Sequence, residues 1–438
     1  MSLRLLYLSQ LIPYPIDAGP KVRSCHVLQY LAQAGYEVTL VAFRRESDGK
    51  TAVSHLSQFC TAIHTIPMHR SPLKDAWHLG RSLLTNQPFL IARDSVAAMH
   101  DLIKRLVQEH SFDAIHADQL WMAQYALAAR EANNGRFSPT LILDQHNAVY
   151  LIPQRLAQST GNLAKKWLLK REASVLQRYE QAVCQQFDQV VWVTEEDREA
   201  VFGNQYSVNS KQLAVNSGET RHSVIPICVD VAEKQVVERR PNAHRVTFLG
   251  GLHWPPNAEG IVWFAQEVWP QVVAQCPNAC LTIIGKNPPA ELGTSHQPLA
   301  TSNQQPATID ITGYVPDLTP YLQETAVFIV PLHAGGGMRV KILDAWSWGL
   351  PIVSTTIGAE GICYEDGADM LIADEADTFA QAVVSLLQDS DWAAAGGRNG
   401  RLTVETHYDW RKIYPAWEAV YAYQRVESQT ATLQPVNV

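Results

Sequence analysis

His333–Glu360 reads HAGGGMRVKILDAWSWGLPIVSTTIGAE, and the fold is decided there. Just upstream, Val327-Phe328-Ile329-Val330-Pro331-Leu332 is a short apolar run, of the kind buried on both faces of a parallel sheet; the strand is expected to stop at Pro331. Gly335, Gly336 and Gly337 then give three successive positions without a Cβ, where backbone can turn tightly and aim N–H groups at an anion. Arg339 and Lys341 follow at once, adding a guanidinium fork and an ammonium, a pair suited to a diphosphate. Asp344 falls a helical turn beyond Lys341. From Ile342 the pattern is helical, Gly349-Leu350-Pro351 ends the helix, and Ile352-Val353-Ser354-Thr355 is the next strand.

Taken together, strand, glycine loop, cations and helix resemble the nucleotide-sugar site of the GT-B glycosyltransferases. The likeness is to the large retaining group 1 (family 4-like) enzymes, some of which carry a similar Gly-Gly-Gly-Met-Arg-x-Lys-x-Leu-Glu run. The resemblance implies that Asp344 binds the ribose hydroxyls, and that backbone amides of Gly335, Gly336, Gly337 and Met338 hold the sugar. Two departures stand out. Asp344 replaces the usual glutamate, and Gly336 occupies the position of the first acid of the common Glu-x7-Glu pattern, which leaves the sugar's identity open.

The 438 residues fit two domains of about 200 residues each. A composition of 46% hydrophobic and 18% charged residues is that of an ordinary globular protein. The net charge of -8 argues against nucleic acid as a partner, because neutralising phosphates takes clustered positive surface. Seven scattered cysteines, with only Cys276 and Cys280 close together, suit neither a disulfide framework nor a zinc site; they read as reduced thiols of a cytoplasmic protein. No run approaches the roughly 20 apolar residues that cross a bilayer, so the chain is expected to be soluble or peripheral.

In chain order, Leu3–Leu8 is a strand, followed by a proline-punctuated loop, a helix with Val27, Leu28 and Leu31 on its apolar side, and the strand Val38–Phe43. This βαβ start fits a doubly wound sheet but lacks G-x-G-x-x-G, so no dinucleotide is inferred. The resemblance turns this first loop, with Gly19 and Arg23, toward the acceptor side; a plain strand-helix connection is the other reading. Ala62–Pro67, Phe112–Asp118, Thr140–Asn147 and Val190–Thr194 read as further strands, 72–110 as helical, and Val224–Asp230 as the short strand closing the first domain. His146 lies past the carboxyl end of a buried strand, where open parallel sheets bind ligands. The Asp144-to-Asn147 pattern resembles the loop that some group 1 enzymes direct at the transferred sugar, which makes His146 the catalytic candidate of the first domain. Residues 162–186 read as a long helix whose start, with Lys165, Lys166, Trp167, Lys170 and Arg171, either rests on an anionic membrane or is an ordinary charged face.

The second domain opens with Arg245–Gly251, a strand running into paired glycines. The resemblance brings Gly250 and Gly251 toward the donor phosphates; no cation is visible in the His253-Trp254-Pro255-Pro256-Asn257 loop, so the charge falls on Arg339 and Lys341. A helix over 258–274, strand Cys280–Ile284, strand and turn Ile309–Val315, and helices over 377–389 and 391–403 follow, with an aromatic helical end from His407 to Tyr423 and a disordered tail from Gln429. By the resemblance, backbone at Tyr314 and Val315 borders the base.

The expectation is therefore two Rossmann-like α/β domains facing a cleft. An acceptor-side domain spans 1–232, a linker 233–244, a nucleotide-sugar domain 245–410, and a returning helix and tail 411–438. The activity expected is a metal-independent, retaining transfer from a nucleotide sugar, without a cofactor, in polysaccharide biosynthesis or on a lipid-linked or small-molecule acceptor. His146, Arg339 and Lys341 are the catalytic candidates. The competing readings are a nucleotide-sugar epimerase and a catalytically silent binding protein. Base, sugar, acceptor and oligomeric state stay open.

Overall fold

The short apolar runs of the first half become strands of one parallel sheet. β1 (Arg4–Ser9), β2 (Glu37–Arg44), β3 (Ala62–Pro67), β4 (Ala114–Asp118), β5 (Thr140–Gln145), β6 (Gln189–Trp192) and β7 (Arg221–Val224) lie in the order β3-β2-β1-β4-β5-β6-β7. Every neighbouring pair runs parallel. The chain winds outward from β1 to β3, then crosses back to β4, so the order reverses beside β1; carboxyl ends at such a switch point are where open sheets bind ligands. β4 and β5 are buried at every residue, which is why β5 carries the unbroken apolar run Leu141-Ile142-Leu143 rather than an alternating one. Leu6, Leu8, Ile115, Leu141 and Leu143 pack with Met99, Ile103, Leu106, Met122 and Tyr125 into one core.

The second half repeats the plan. β8 (Arg245–Leu249), β9 (Cys280–Ile284), β10 (Thr308–Gly313), β11 (Thr325–Val330), β12 (Ile352–Ser354) and β13 (Leu371–Ile372) form a parallel sheet ordered β10-β9-β8-β11-β12-β13. Val246, Phe248, Leu281, Ile283, Val327 and Ile329 pack there against Phe264, Trp269, Phe379 and Val383.

This computed structural model describes residues 2–16, 19–45, 48–203, 220–240, 243–292 and 308–422. Residues 204–219 and 293–307, and the tail expected from Gln429, lie outside the described residues. The chain divides into a unit of Met1–Cys228 with Ile413–Val438, and a unit of Val229–Lys412. Residues 233–240 of the expected linker belong to the second unit, where Val237 N donates to Trp348 O and Arg240 N to Gln323 O. Returning to the first unit, the chain buries Tyr414, Trp417 and Tyr421.

Some element bounds differ from the sequence reading. The strand expected over Val224–Asp230 ends at Val224, because the next residues turn their carbonyls to a buried arginine. The helical region 72–110 is three helices, Pro72–Thr85, Phe89–Arg93 and Ala97–Glu109; left-handed Asn86 (φ 56°) and Pro88 interrupt it. The helix expected at 258–274 starts at Pro255 and widens into a π turn at Phe264–Val268. Pro270, which has no N–H to give Gln266, follows directly.

Candidate functional site

In the second unit the strands β8, β9 and β10 all run into glycines at their carboxyl ends. Gly250 N donates to Ile284 O, Gly285 N donates to Gly313 O, and a Cβ on Gly285 would collide with the Gly250 carbonyl. This close backbone packing leaves the edge open beside Gly250, and Lys341 fills the space. A Cβ on Gly250 would lie 2.8 Å from Lys341 Nζ and 3.0 Å from Asn257 Nδ2. Lys341 reaches there from the first turn of the Val340–Ser347 helix; it donates to Asn257 Oδ1 at 2.9 Å and lies over the Phe248 ring at 4.5 Å. The cation missing from the Gly250–Gly251 loop is thus supplied from 91 positions along the chain (341 minus 250). Desolvation, with the Arg339 charge nearby, draws the Lys341 ammonium down to about 7.

Gly335 and Gly337 have φ of 125° and 72°, values that L side chains rarely adopt, so the loop after β11 needs glycine there for its own path. Arg339 is buried, and its guanidinium turns back into the loop: it donates to the carbonyls of Gly336 (2.7 Å) and Gly337, and to Ile357 O at 3.4 Å, with Glu360 Oε2 at 3.9 Å. It shapes the loop, and its positive charge disfavours a second one on Lys341. Met338 is buried beside it. Asp344, partly exposed, receives the Lys234 ammonium. Tyr314 is exposed, with Lys286 Nζ 4.4 Å over its ring, and Val315 is half-buried. Gly250, Gly251, Asn257, Arg339 and Lys341 therefore converge around one edge, while Tyr314 and Val315 follow the end of β10, two strands over.

In the first unit the strand register sets three polar residues side by side: Ser9 pairs with Asp118, and Asp118 with Asp144, at the ends of β1, β4 and β5. Asp118 Oδ2 accepts from Ser9 Oγ (2.7 Å) and Ser24 Oγ (2.6 Å), and its Oδ1 forms an ion pair with His146 Nε2 at 2.8 Å. Asp144 is gripped by Arg23 through Nε (2.8 Å to Oδ2) and Nη2 (2.6 Å to Oδ1), and its Oδ2 lies 3.6 Å from His146 Nε2. Burial alone would raise the Asp144 carboxyl; Arg23, with His116 and His146, holds it well below the usual range. Burial would likewise lower His146, but Asp118, then Asp144, lift it to about 9. Two carboxylates thus face one guanidinium and one imidazolium, and the buried charge balances.

Arg23, which the resemblance turned toward the acceptor side, lies inside the first unit. It is fully buried, and besides Asp144 it donates to Ile225 O (2.6 Å) and Pro226 O (3.0 Å), with Trp417 5.3 Å away. Its role is to neutralise and hold Asp144. Gly19 opens the helix Gly19–Gln33 that carries Arg23 and Ser24.

Behind His146, the loop is held by two further acids. Glu180 Oε1 accepts from Gln145 Nε2 (2.7 Å) and Val149 N (3.0 Å), its Oε2 accepts from Tyr150 N (3.3 Å), and Asp197 Oδ1 accepts from Ala148 N (2.8 Å). Burial pushes the Glu180 carboxyl up to about 8.

The residues that sequence reasoning missed as site members are Asp118, Glu180, Asn257 and Lys234. For Asp118 a signal existed: an acid closing a buried strand next to the one that ends in Asp144. Asp118, Asp144 and His146 are also the one group among the described residues whose ligand atoms lie close enough to hold a metal, within 4.8 Å of one another. Arg23 already neutralises Asp144 and two serines occupy Asp118 Oδ2, so this donor set fits its own ion pairs better than a cation.

Residues 18–216 match the glycosyl transferase 4-like domain, and residues 243–389 match the group 1 glycosyl transferases. The chain belongs to the group 1, family 4-like glycosyltransferases of GT-B fold. An uncharacterized 44.6 kDa protein in the cps region of Klebsiella pneumoniae is 21% identical over 417 residues, covering 94% of this chain and 98% of its own. Among solved structures, sucrose-phosphate synthase from Thermosynechococcus elongatus is similar with a TM-score of 0.66 at 17% identity, over 97% of this chain and 100% of that one. HepE from Anabaena, in complex with UDP and glucose, has a TM-score of 0.60 at 14% identity, over 99% and 100%.

Proposed function

We propose that the chain transfers a sugar from a nucleotide-sugar donor to a glycan, lipid-linked or small-molecule acceptor, with retention at the anomeric carbon and without a metal ion. The observation that carries this reading is the Lys341 ammonium, held by Asn257 against the Gly250 turn and beside the loop that Arg339 folds. Breaking a sugar–phosphate bond leaves negative charge on the departing diphosphate, and fixed cations with aligned amides stabilise that charge without reorganising. An ammonium poised near neutrality takes up a full charge when a diphosphate binds beside it. Gly335, Gly336, Gly337 and Met338 are assigned to the sugar, Asp344 to the ribose once Lys234 yields one of its oxygens, and the backbone at Tyr314 and Val315 to the base.

His146 is assigned to the transferred sugar: Nε2 faces Asp118, and Nδ1 has no hydrogen-bond partner among the described residues. The cps-region relative supports a glycan acceptor of polysaccharide assembly. Seven free cysteines support the cytoplasm as the compartment.

The test is turnover against UDP, GDP and ADP sugars with an acceptor panel. Lys341→Ala is expected to lower kcat/KM on the order of 10²-fold or more. Unchanged turnover in that variant would end the reading. Gly336, standing where the family carries an acid, favours one alternative, a silent binding protein; calorimetry showing nucleotide-sugar binding with neither transfer nor hydrolysis would establish it. Mass-neutral isomerisation of the donor would identify an epimerase instead.

A further inference from the structure

The Pro72–Thr85 helix is built inside out. At about 100° per residue, Leu73, Trp77 and Leu84 fall within about 40° of one another, and Ser82 lies about 160° from their centre. Ser82 is the buried one, while Leu73, Trp77 and Leu84 are 83%, 60% and 89% exposed. The Leu163–Cys184 helix starts the same way: Leu163 and Trp167 are 82% and 62% exposed on the side opposite Glu172, Leu176 and Val183, which are buried. The two helices are neighbours, because Arg171 donates to Ser82 Oγ (2.7 Å) and to Ser82 O.

We propose that these two outward faces form a surface by which the protein docks on an anionic lipid membrane. The stretches 72–85 and 163–170 carry five bases, Lys74, Arg81, Lys165, Lys166 and Lys170, against one acid, Asp75, in a chain whose net charge is -8. On the second helix a groove of about 500 Å³ is bordered by Lys166, Lys170, Ser174 and, from the Leu151–Ser159 helix, Gln154, with space and donors for a phosphate headgroup. Exposed tryptophan and leucine set among lysines match a bilayer's interfacial region, where rings and acyl carbon take the apolar atoms and anionic headgroups take the ammonium groups. A protein partner fits less well, since the cores of such interfaces are depleted of lysine. A second copy bound about a twofold axis would set these cations against themselves. Among the described residues no helix is long and apolar enough to cross a membrane, so attachment here is to the surface.

The test uses the full chain in sedimentation with vesicles of phosphatidylcholine alone, or of phosphatidylcholine with phosphatidylglycerol. Binding is expected only to the second kind and is expected to weaken with salt. Trp77→Ala with Trp167→Ala, and separately Lys165→Glu, Lys166→Glu and Lys170→Glu together, should each lower partitioning about tenfold or more, with circular dichroism unchanged. Equal binding to both vesicles, no binding to either, or undiminished binding by the variants would overturn the proposal. So would a dimer in sedimentation that Trp77→Ala dissociates. Donor hydrolysis in vesicle-free buffer should be the same in all these variants, so failure of the docking surface and failure of the proposed transfer are read separately.

Discussion

His146 Nε2 lies 2.8 Å from Asp118 Oδ1, and that carboxylate is the largest influence that lets a buried imidazole hold its proton. The folded-state pKa of His146 is raised from 6.5 to about 9, so its contribution to stability is complete below about 6.5 and is lost as pH rises through about 9. Unfolding in urea at a series of pH values should show a decline of up to about 3 kcal/mol across that window. In Asp118→Asn the imidazole should titrate nearer its ordinary value and the decline should shrink; an NMR titration of His146 identical in both proteins would refute the pairing.

Lys341 carries the opposite sign. Its pKa is depressed from 10.5 to about 7, so the folded protein binds fewer protons than the unfolded chain between those values, and this group's share of stability grows as pH rises through them. Lys341→Met should therefore leave the unliganded protein at least as stable near pH 7 while weakening nucleoside diphosphate binding about tenfold or more. In the wild type, calorimetry in buffers of different ionisation enthalpy should register proton uptake on binding at pH 8. Uptake that persists in the methionine variant would assign it to another group.

Glycine substitutions separate packing from binding. Gly285→Ala drives a methyl into the Gly250 carbonyl and should destabilise by about 2–4 kcal/mol, seen as a lower Tm. Gly250→Ala instead meets the movable end of Lys341 and the Asn257 amide, so it should cost little stability and much diphosphate affinity. Equal losses of both properties in the two variants would contradict the placement of Lys341.

Removing Arg23 strands a buried carboxylate. Arg23→Met should destabilise by about 3–5 kcal/mol, and Arg23→Lys should restore little, because one ammonium cannot reproduce the fork to Asp144 together with the bonds to Ile225 and Pro226. Denaturant midpoints of the two variants measure this directly; full rescue by lysine would show that charge alone suffices.

Strands such as Thr325–Val330 and Thr140–Gln145 were legible because a doubly covered parallel strand needs an unbroken apolar run, and the glycine loop was legible because Gly335 and Gly337 adopt backbone angles that few other residues tolerate. What the sequence hid is non-local. That Ser9, Asp118 and Asp144 stand abreast follows from register between strands, not from spacing along the chain. Lys341 was visible as a cation, but its destination beside Gly250 was not. The partner of Arg23 was hidden as well, because nothing near it in sequence announces Asp144, 121 positions away. The outward stripe of the Pro72–Thr85 helix has the periodicity of a core-facing helix, and only burial reveals which side is wet.

Three successive amides, of Ala148, Val149 and Tyr150, are fastened from behind by Asp197 and Glu180, on two helices that lie further along the chain. The position of the imidazole is thus inherited from the scaffold rather than from whatever surrounds it in front. Side chains in front of it can change, and the histidine will stay where it is.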